Sequence, residues 1–371
     1  MDGYVLTPQG FVDGSLRVGS DGRIAAIAGR AVPETLACEQ ARASGKPLLL
    51  PGFVDLHVHG GSGRDVMEGG DAIASIAALH ARHGTTSLLA TTMTAPIEDL
   101  EQAFDALANA CKHRSPEGAR VLGVHLEGPY INEGKLGAQP DFARPVHAAE
   151  LAQLHQRAPI RLITLAPEVP GNMDIIDGLV REGYRVQIGH TMANYEQTRE
   201  AMERGANGFT HLFNAMTGLH HRQPGVVGAA LAHGDYAEII PDLLHVHEGA
   251  IRVALRAIPH LYCVTDSTAA AGMPDGDYQL GRQTVTKCMG GVRLADGTLA
   301  GSTLTMDQAL RNLVHTMGLT IQDASRRVST NAADYVGASD RGRLMAGAWA
   351  DIVVLDADLQ IQKVIVEGTA L

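Results

Sequence analysis

Long apolar runs are missing from this sequence. None approaches the roughly 18 consecutive apolar residues of a membrane-spanning helix, and no basic-plus-apolar leader opens the chain. The expected compartment is therefore the cytoplasm, with no membrane partner. Cysteine is scarce: Cys38, Cys111, Cys263 and Cys288 stand far apart. That spacing excludes a thiolate metal motif and favours buried or incidental thiols. A dinucleotide loop is lacking too, because Gly60-Gly61-Ser62-Gly63 does not have the fingerprint's spacing. Positive charge is in deficit, and a formal net charge of −11 argues against a nucleic-acid surface. An anionic small molecule stays admissible if a few arginines and histidines face its pocket.

What is present fits a globular chain. With 371 residues, 45% of them apolar and 19% charged, it can bury a large core and is not of disordered composition. Both ends read as β structure. Tyr4 to Leu6, Gly14 to Val18 and Ile24 to Ala28 are short strand candidates, with Gly19-Ser20-Asp21-Gly22 as a tight turn. Asp351 to Asp356 and Ile361 to Val366 are rich in β-branched residues. A small sheet drawn from both termini follows.

The middle alternates apolar strands with longer helical patterns. Strands are expected near 53–57, 86–91, 121–126, 161–165, 185–188, 208–210, 237–241 and 261–265, with helices at Ala72–Arg82, Ile97–Lys112 and Tyr195–Arg204 among those between them. Continuous apolar runs indicate parallel strands covered on both faces. Eight such units in about 210 residues match the size of a TIM-type (β/α)8 barrel, an α/β fold. Thr305-Met306-Asp307-Gln308 has a capping-box pattern, so a late helix is expected to start near Thr305.

The informative feature is where the ionisable residues fall. Five expected strands end in metal-ligand types: His57-Val58-His59, His125-Leu126-Glu127, His190, His211 and Asp266. Residues two apart in an extended segment share a side, so His57 can join His59 on one ion, and His125 can pair with Glu127. Strand ends distant in sequence meet at one rim of a barrel. Imidazole with carboxylate suits zinc, iron, manganese or cobalt, whereas magnesium favours an all-oxygen site. Any one histidine is more simply a hydrogen-bonded core or loop residue; the joint pattern carries the metal reading. Asp266 is a candidate general acid-base beside metal-activated water.

His57-Val58-His59-Gly60, His125-Leu126-Glu127-Gly128-Pro129, Gly189-His190-Thr191, His211-Leu212-Phe213-Asn214-Ala215-Met216 and Val264-Thr265-Asp266 resemble the amidohydrolase superfamily. More closely, they resemble its N-acetylglucosamine-6-phosphate deacetylase family. The likeness runs from about Pro51 to the Gly342-Arg343-Leu344 and Ala350-Asp351 segment. It implies a barrel over residues 51–339 and a small β-sandwich domain from residues 1–50 and 340–371. Glu127, His190 and His211 would hold the principal divalent metal, zinc first among the candidates. His57 and His59 would allow a second, giving one or two ions per subunit.

The resemblance also implies the substrate and its contacts. The substrate would be a phosphorylated N-acetyl amino sugar, met by Asn214, Ala215 and His245. His220 and Arg222 would lie on a loop whose arginine reaches the neighbouring site of a homodimer, and an arginine fork suits a phosphate. Asp266 and His245 would be the catalytic pair. Two departures stand out: Gln223 replaces a more typical glutamate, and in Pro241-Asp242-Leu243-Leu244-His245 leucine replaces the glycine that usually precedes the histidine. N-acetylgalactosamine 6-phosphate is therefore the alternative substrate. A dihydroorotase-like hydrolase is a weaker alternative, since no expected strand ends in the lysine that bridges its metals. A deaminase is separated by the phosphate dependence that Arg222 predicts. A non-catalytic metal-binding barrel fits poorly, because Asp266 and the histidines are all present.

Overall fold

Six strands of near-continuous apolar residues lie side by side in parallel and in chain order: Phe53–Val58, Thr85–Thr92, Arg120–Glu127, Ile160–Leu165, Arg185–Ile188 and Gly208–Phe209. The computed structural model describes residues 1–371. Tyr236–Ile239 and His260–Cys263 form a second parallel pair. Backbone bonds tie the two groups together at each side. Leu212 N–H donates to Glu238 O at 2.9 Å, and Asp266 N–H donates to His57 O at 2.9 Å. The result is a curled sheet of parallel strands with helices over its outer face. Burial on both faces is why these strands read as unbroken apolar runs rather than alternating ones. Every strand end that carries a candidate ligand thereby arrives at the same rim.

The covering helices follow their apolar spacing. Ala72–Arg82 and Ile97–Lys112 begin and end as the sequence indicates, and Tyr195–Glu203 stops one residue early. In Ile97–Lys112 the buried positions are Leu100, Ala103, Phe104 and Leu107, one helical face, with Glu98 and Asp99 at the positive end of the dipole. Thr305 does cap the helix Met306–Arg311, but its side chain makes no capping bond. Gln308 instead donates to Asn312 at 2.7 Å, so the expected box does not form. No helix is long and apolar enough to cross a membrane.

Both termini contribute to one seven-stranded sheet of Asp2–Thr7, Gly10–Val18, Ile24–Ala31, Leu48–Pro51, Ile352–Leu355, Ile361–Val366 and Thr369–Ala370. The strand alternation decides its faces. Leu48 and Leu50 join the main core, while Leu49 joins Val5, Leu16, Ile24 and Ile352 in a second core of nine residues. The hydrogen bonding is continuous, so the sheet curls around that small core instead of splitting into two facing sheets. Two of the elements that were not anticipated bear on the architecture. One is the helix Glu34–Ser44, which runs from Pro33 to Gly45, where φ is +73°. The other is an antiparallel sheet of Gly276–Leu280, Gln283–Cys288 and Gly291–Arg293 beside the rim. Its strands are short and half exposed, and they leave little apolar pattern to read.

A buried ion network joins the terminal sheet to the parallel strands. Arg341, only 6% exposed, donates to Asp351 Oδ2 at 2.7 Å and to Glu367 Oε1 at 2.5 Å. Arg120 adds bonds of 2.8 and 2.9 Å to the two oxygens of Glu367. Burial opposes the charge on Glu367, but the Arg120 and Arg341 guanidinium groups outweigh it and hold its pKa at about 2, below the ordinary 4.5. Its contribution to stability is therefore complete above about pH 4.5 and is lost as pH falls toward 2. Arg341→Ala leaves the buried Asp351 carboxylate without its guanidinium partner and is expected to cost about 3 kcal/mol in urea unfolding at pH 7. Wild-type stability in that variant would refute the assigned role.

Candidate active site

Each candidate ligand stands at or just beyond the end of a parallel strand. Glu127 is the last residue of its strand, and His59, His190, His211 and Asp266 follow theirs by one to three residues. At three of them the backbone turns left-handed: φ is +48° at His190, +30° at His211 and +50° at Asp266. Non-glycine residues avoid this region, and its use at a strand end marks a functional constraint. The turn at Asp266 is pinned on both sides, by its N–H to His57 O at 2.9 Å and by Ser302 N–H to its carbonyl at 2.7 Å.

Glu127, 1% exposed, lies between two pairs of imidazoles. Its Oε1 is 3.1 Å from His190 Nε2 and 3.0 Å from His211 Nε2, which are themselves 3.0 Å apart. Its Oε2 is 3.2 Å from His59 Nε2 and 3.5 Å from His57 Nε2, and those nitrogens are 3.1 Å apart. Asp266 Oδ1 completes the second group, 3.4 Å from His59 Nε2 and 3.5 Å from His57 Nε2.

Three of the four opposite ring nitrogens already have acceptors, and His211 Nδ1 is buried without one. His190 Nδ1 meets Lys135 O at 2.7 Å, His59 Nδ1 meets Thr91 O at 3.2 Å, and His57 Nδ1 meets Glu238 Oε2 at 3.0 Å. Protons on those Nδ1 atoms leave Nε2 lone pairs facing carboxylate oxygens, acceptor against acceptor. Such a buried arrangement calls for a cation. Three imidazole or carboxylate donors in the first group and four in the second would fit a divalent metal, with one Glu127 oxygen facing each group.

The electrostatics agree. Burial disfavours charge throughout, yet His57, His190 and His211 hold the Glu127 carboxyl well below its ordinary range. Burial likewise opposes an imidazolium at His57, but Glu127, Asp266 and Glu238 drive its pKa well above 6.5. His59 is pushed up to about 9 against its burial, by Asp266 and Glu127. The same negative field attracts a metal ion.

The remaining candidates divide. A cavity of about 320 Å³ opens onto His59, Glu127, His190, His211 and Asp266, and is also lined by His245, Asn214 and Ala215. His57 lies beneath it, fully buried. His245 Nδ1 is 2.7 Å from Asp242 Oδ2, so Nε2 is the nitrogen free to face the cavity. Burial works against its charged form, but the Asp242 carboxylate prevails and raises the pKa above 6.5. His220 and Arg222 lie elsewhere, on an exposed loop where Arg222 Nη1 is 2.7 Å from His221 Nε2. His125 does not join Glu127 at the rim. Both its nitrogens are engaged below the rim, Nδ1 at 3.1 Å from Leu56 O and Nε2 at 2.8 Å from Thr164 Oγ1. Two residues of strand rise roughly 6.6 Å, so sharing a face with Glu127 put it one layer too deep.

Four further residues serve the site. Gln139 donates to Glu127 Oε2 at 2.6 Å, Glu238 accepts from His57, Asp242 orients His245, and Lys135 lines the cavity. Asp242 stands three residues before His245, a visible spacing; the other three carry no local sequence signal.

Residues 48–371 match the amidohydrolase family. The chain is 40% identical to the N-acetylgalactosamine-6-phosphate deacetylase of Escherichia coli O157:H7, covering 98% of this chain and 96% of that protein. It is also 40% identical to the N-acetylglucosamine-6-phosphate deacetylase of Lysinibacillus sphaericus, covering 94% and 91%. Among solved structures, the N-acetyl-D-glucosamine-6-phosphate deacetylase of Mycobacterium smegmatis in complex with N-acetyl-D-glucosamine-6-phosphate superposes with a TM-score of 0.89. Its identity is 34%, over 99% of this chain and 97% of that one.

Because Glu127 belongs to both acceptor groups, Glu127→Ala is expected to abolish zinc retention after reconstitution and desalting, measured by atomic absorption. His59→Asn is expected to spare the ion held by His190 and His211. Wild-type metal content in Glu127→Ala would refute the shared-carboxylate geometry.

Proposed function

The chain belongs to the amidohydrolase family, and within it to the N-acetylglucosamine-6-phosphate deacetylases; from that membership we propose that it hydrolyses the acetamide of N-acetylglucosamine 6-phosphate, giving glucosamine 6-phosphate and acetate. The observation that carries this reading is the convergence of Glu127, His190, His211 and Asp266 on one cavity. Glu127, His190 and His211 would hold the principal ion, with zinc the best match to the donors, and His57 with His59 would hold a second. Bound by these residues, a divalent ion would supply Lewis-acid polarisation of the amide carbonyl and a more acidic water.

The protein's own groups do the rest. Asp266, at the mouth beside the ligands, takes the proton of the attacking water on its carboxylate and returns it to the departing amine. His245, steadied through Nδ1 by Asp242, presents Nε2–H to the carbonyl oxygen as it becomes an oxyanion. Asn214 and Ala215 border the sugar's position, and Ala215 sits at φ +50°, which turns its backbone toward the cavity wall.

The reading includes a closed (β/α)8 barrel over residues 51–339, a terminal β domain over 1–50 and 340–371, and a cytoplasmic location. The barrel rests on the Leu212 to Glu238 and Asp266 to His57 backbone bonds that join the two parallel groups. It also includes a homodimer in which Arg222, on the His220 loop, enters the neighbouring cavity. Two facts support that placement: Arg222 is exposed outside its own cavity, and Lys135 is the sole lysine or arginine lining that cavity.

N-acetylgalactosamine 6-phosphate is the second reading, favoured by the 40% identity over 98% of the chain to a deacetylase of that sugar. Amine release from both phosphorylated epimers and from unphosphorylated N-acetylglucosamine tests all of this. The 6-phosphate of N-acetylglucosamine is expected to have the highest kcat/KM, and no turnover of either phosphate by metal-loaded protein would sink the proposal. Asp266→Asn should retain its metal yet lose on the order of 10²–10⁴ in kcat. Arg222→Ala should raise KM for the phosphorylated sugar while leaving kcat near wild type. An unchanged KM would remove the arginine from the phosphate site.

A further inference from the structure

Beneath the ligands, the interior of the parallel strands is polar where such cores are ordinarily filled by branched apolar side chains. Glu238 is one of its carboxyl groups, fully buried on the strand Tyr236–Ile239. One oxygen, Oε2, is 3.0 Å from His57 Nδ1 and accepts from the His211 backbone N–H at 3.1 Å. The other accepts from the Tyr262 hydroxyl at 3.4 Å, and Gln187 Nε2 donates to that hydroxyl at 2.5 Å. His57 belongs to one acceptor group above and His211 to the other. A single carboxylate oxygen thus touches both from below.

We infer that Glu238 is a positioning residue that holds the His57 ring with Nε2 turned toward His59 and Glu127, and so sets how well the His57 and His59 group binds an ion. The inference rests on the metal centre proposed above. An acceptor at one ring nitrogen fixes the orientation of a ligating imidazole. With Nδ1 held by Glu238, His57 Nε2 faces the second group, 3.1 Å from His59 Nε2 and 3.5 Å from Glu127 Oε2. No other protein group bonds His57 Nδ1. Without the Glu238 carboxylate the ring loses that anchor, and the aim of Nε2 at the second ion's position loosens. The His211 contact is of another kind: it holds the backbone of the left-handed turn and leaves that ring's Nε2 as it was. Loss of Glu238 should therefore fall mainly on the second ion.

The test is a titration of metal-free protein with cobalt chloride, following the visible absorption of bound Co²⁺, with circular dichroism melting as the check on folding. Wild-type protein is expected to bind two ions. Glu238→Gln is expected to bind the first as wild type does and the second about 10- to 100-fold more weakly. Equal affinity for both ions in that variant would overturn the inference. A wild-type protein that binds no cobalt would instead overturn the metal centre itself. If Glu238→Gln does not fold, Glu238→Asp keeps the charge but falls one methylene short of His57, and the same loss of the second ion is expected. Nitrogen-15 histidine spectra of the zinc-loaded wild type add a readout free of variants. A proton on His57 Nδ1 is expected, and a bare Nδ1 refutes the assignment.

Discussion

A carboxylate buried to within 1% of full exclusion, with imidazole nitrogens on both sides, is the constraint around which this molecule is organised. Burying the Glu127 charge is tolerable only if partners are held close, and a carboxylate cannot gather four histidines from a single segment. Parallel strands solve the problem by bringing residues 57, 127, 190 and 211 to one rim. The left-handed turns at His190 and His211 then direct each ring inward rather than onward along its strand. The same charge that makes the cluster expensive in isolation suits it to a cation. Stability and chemistry are thus set by the same few groups.

The layer beneath explains why the ligands keep their aim. His125, Thr164, Thr210, Gln187 and Tyr262 are all fully buried and connected in sequence by bonds of 2.5 to 2.8 Å. A buried polar network is tolerable when its members are satisfied, and it then rigidifies what rests on it. Here it supports Glu238, which supports His57. The terminal sheet does comparable work at the periphery, where Arg341 and Arg120 fix Glu367 and thereby the start of the strand that ends in Glu127.

How far the sequence could be read follows from whether a signal is local. Strand-end ligands were legible because a histidine or acid after an apolar run is a pattern within a few residues. The helices Ala72–Arg82 and Ile97–Lys112 were legible because their apolar spacing repeats over several turns. His125 was misplaced because alternation fixes a face but not a depth. Glu238 and Gln139 could not be found, since each acts on a partner far along the chain: Glu238 on His57 across 181 residues, Gln139 on a carboxylate reached only through a loop. The exposed sheet Gly276–Arg293 carried too little burial to leave a pattern, although Leu280 reaches the cavity wall.

The two departures from the family pattern gain a physical meaning from their positions. Gln223 is exposed beside Arg222 and lines no part of the cavity. Leu243 sits at φ +67°, a conformation that glycine adopts without penalty and that costs a leucine roughly 1–2 kcal/mol. The cost falls on the backbone, and neither Leu243 nor Leu244 lines the cavity. Asp242 holds the turn regardless. Its Oδ1 accepts from Leu244 N–H at 2.9 Å and His245 N–H at 2.8 Å, while Oδ2 holds the His245 ring at 2.7 Å. One carboxylate thus fixes both the strained backbone and the histidine that follows it. The leucine changes the stability of the loop and leaves the placement of His245 intact. Neither substituted position lines the chain's own cavity, whose wall includes Asn214, His245, Leu280 and Leu299.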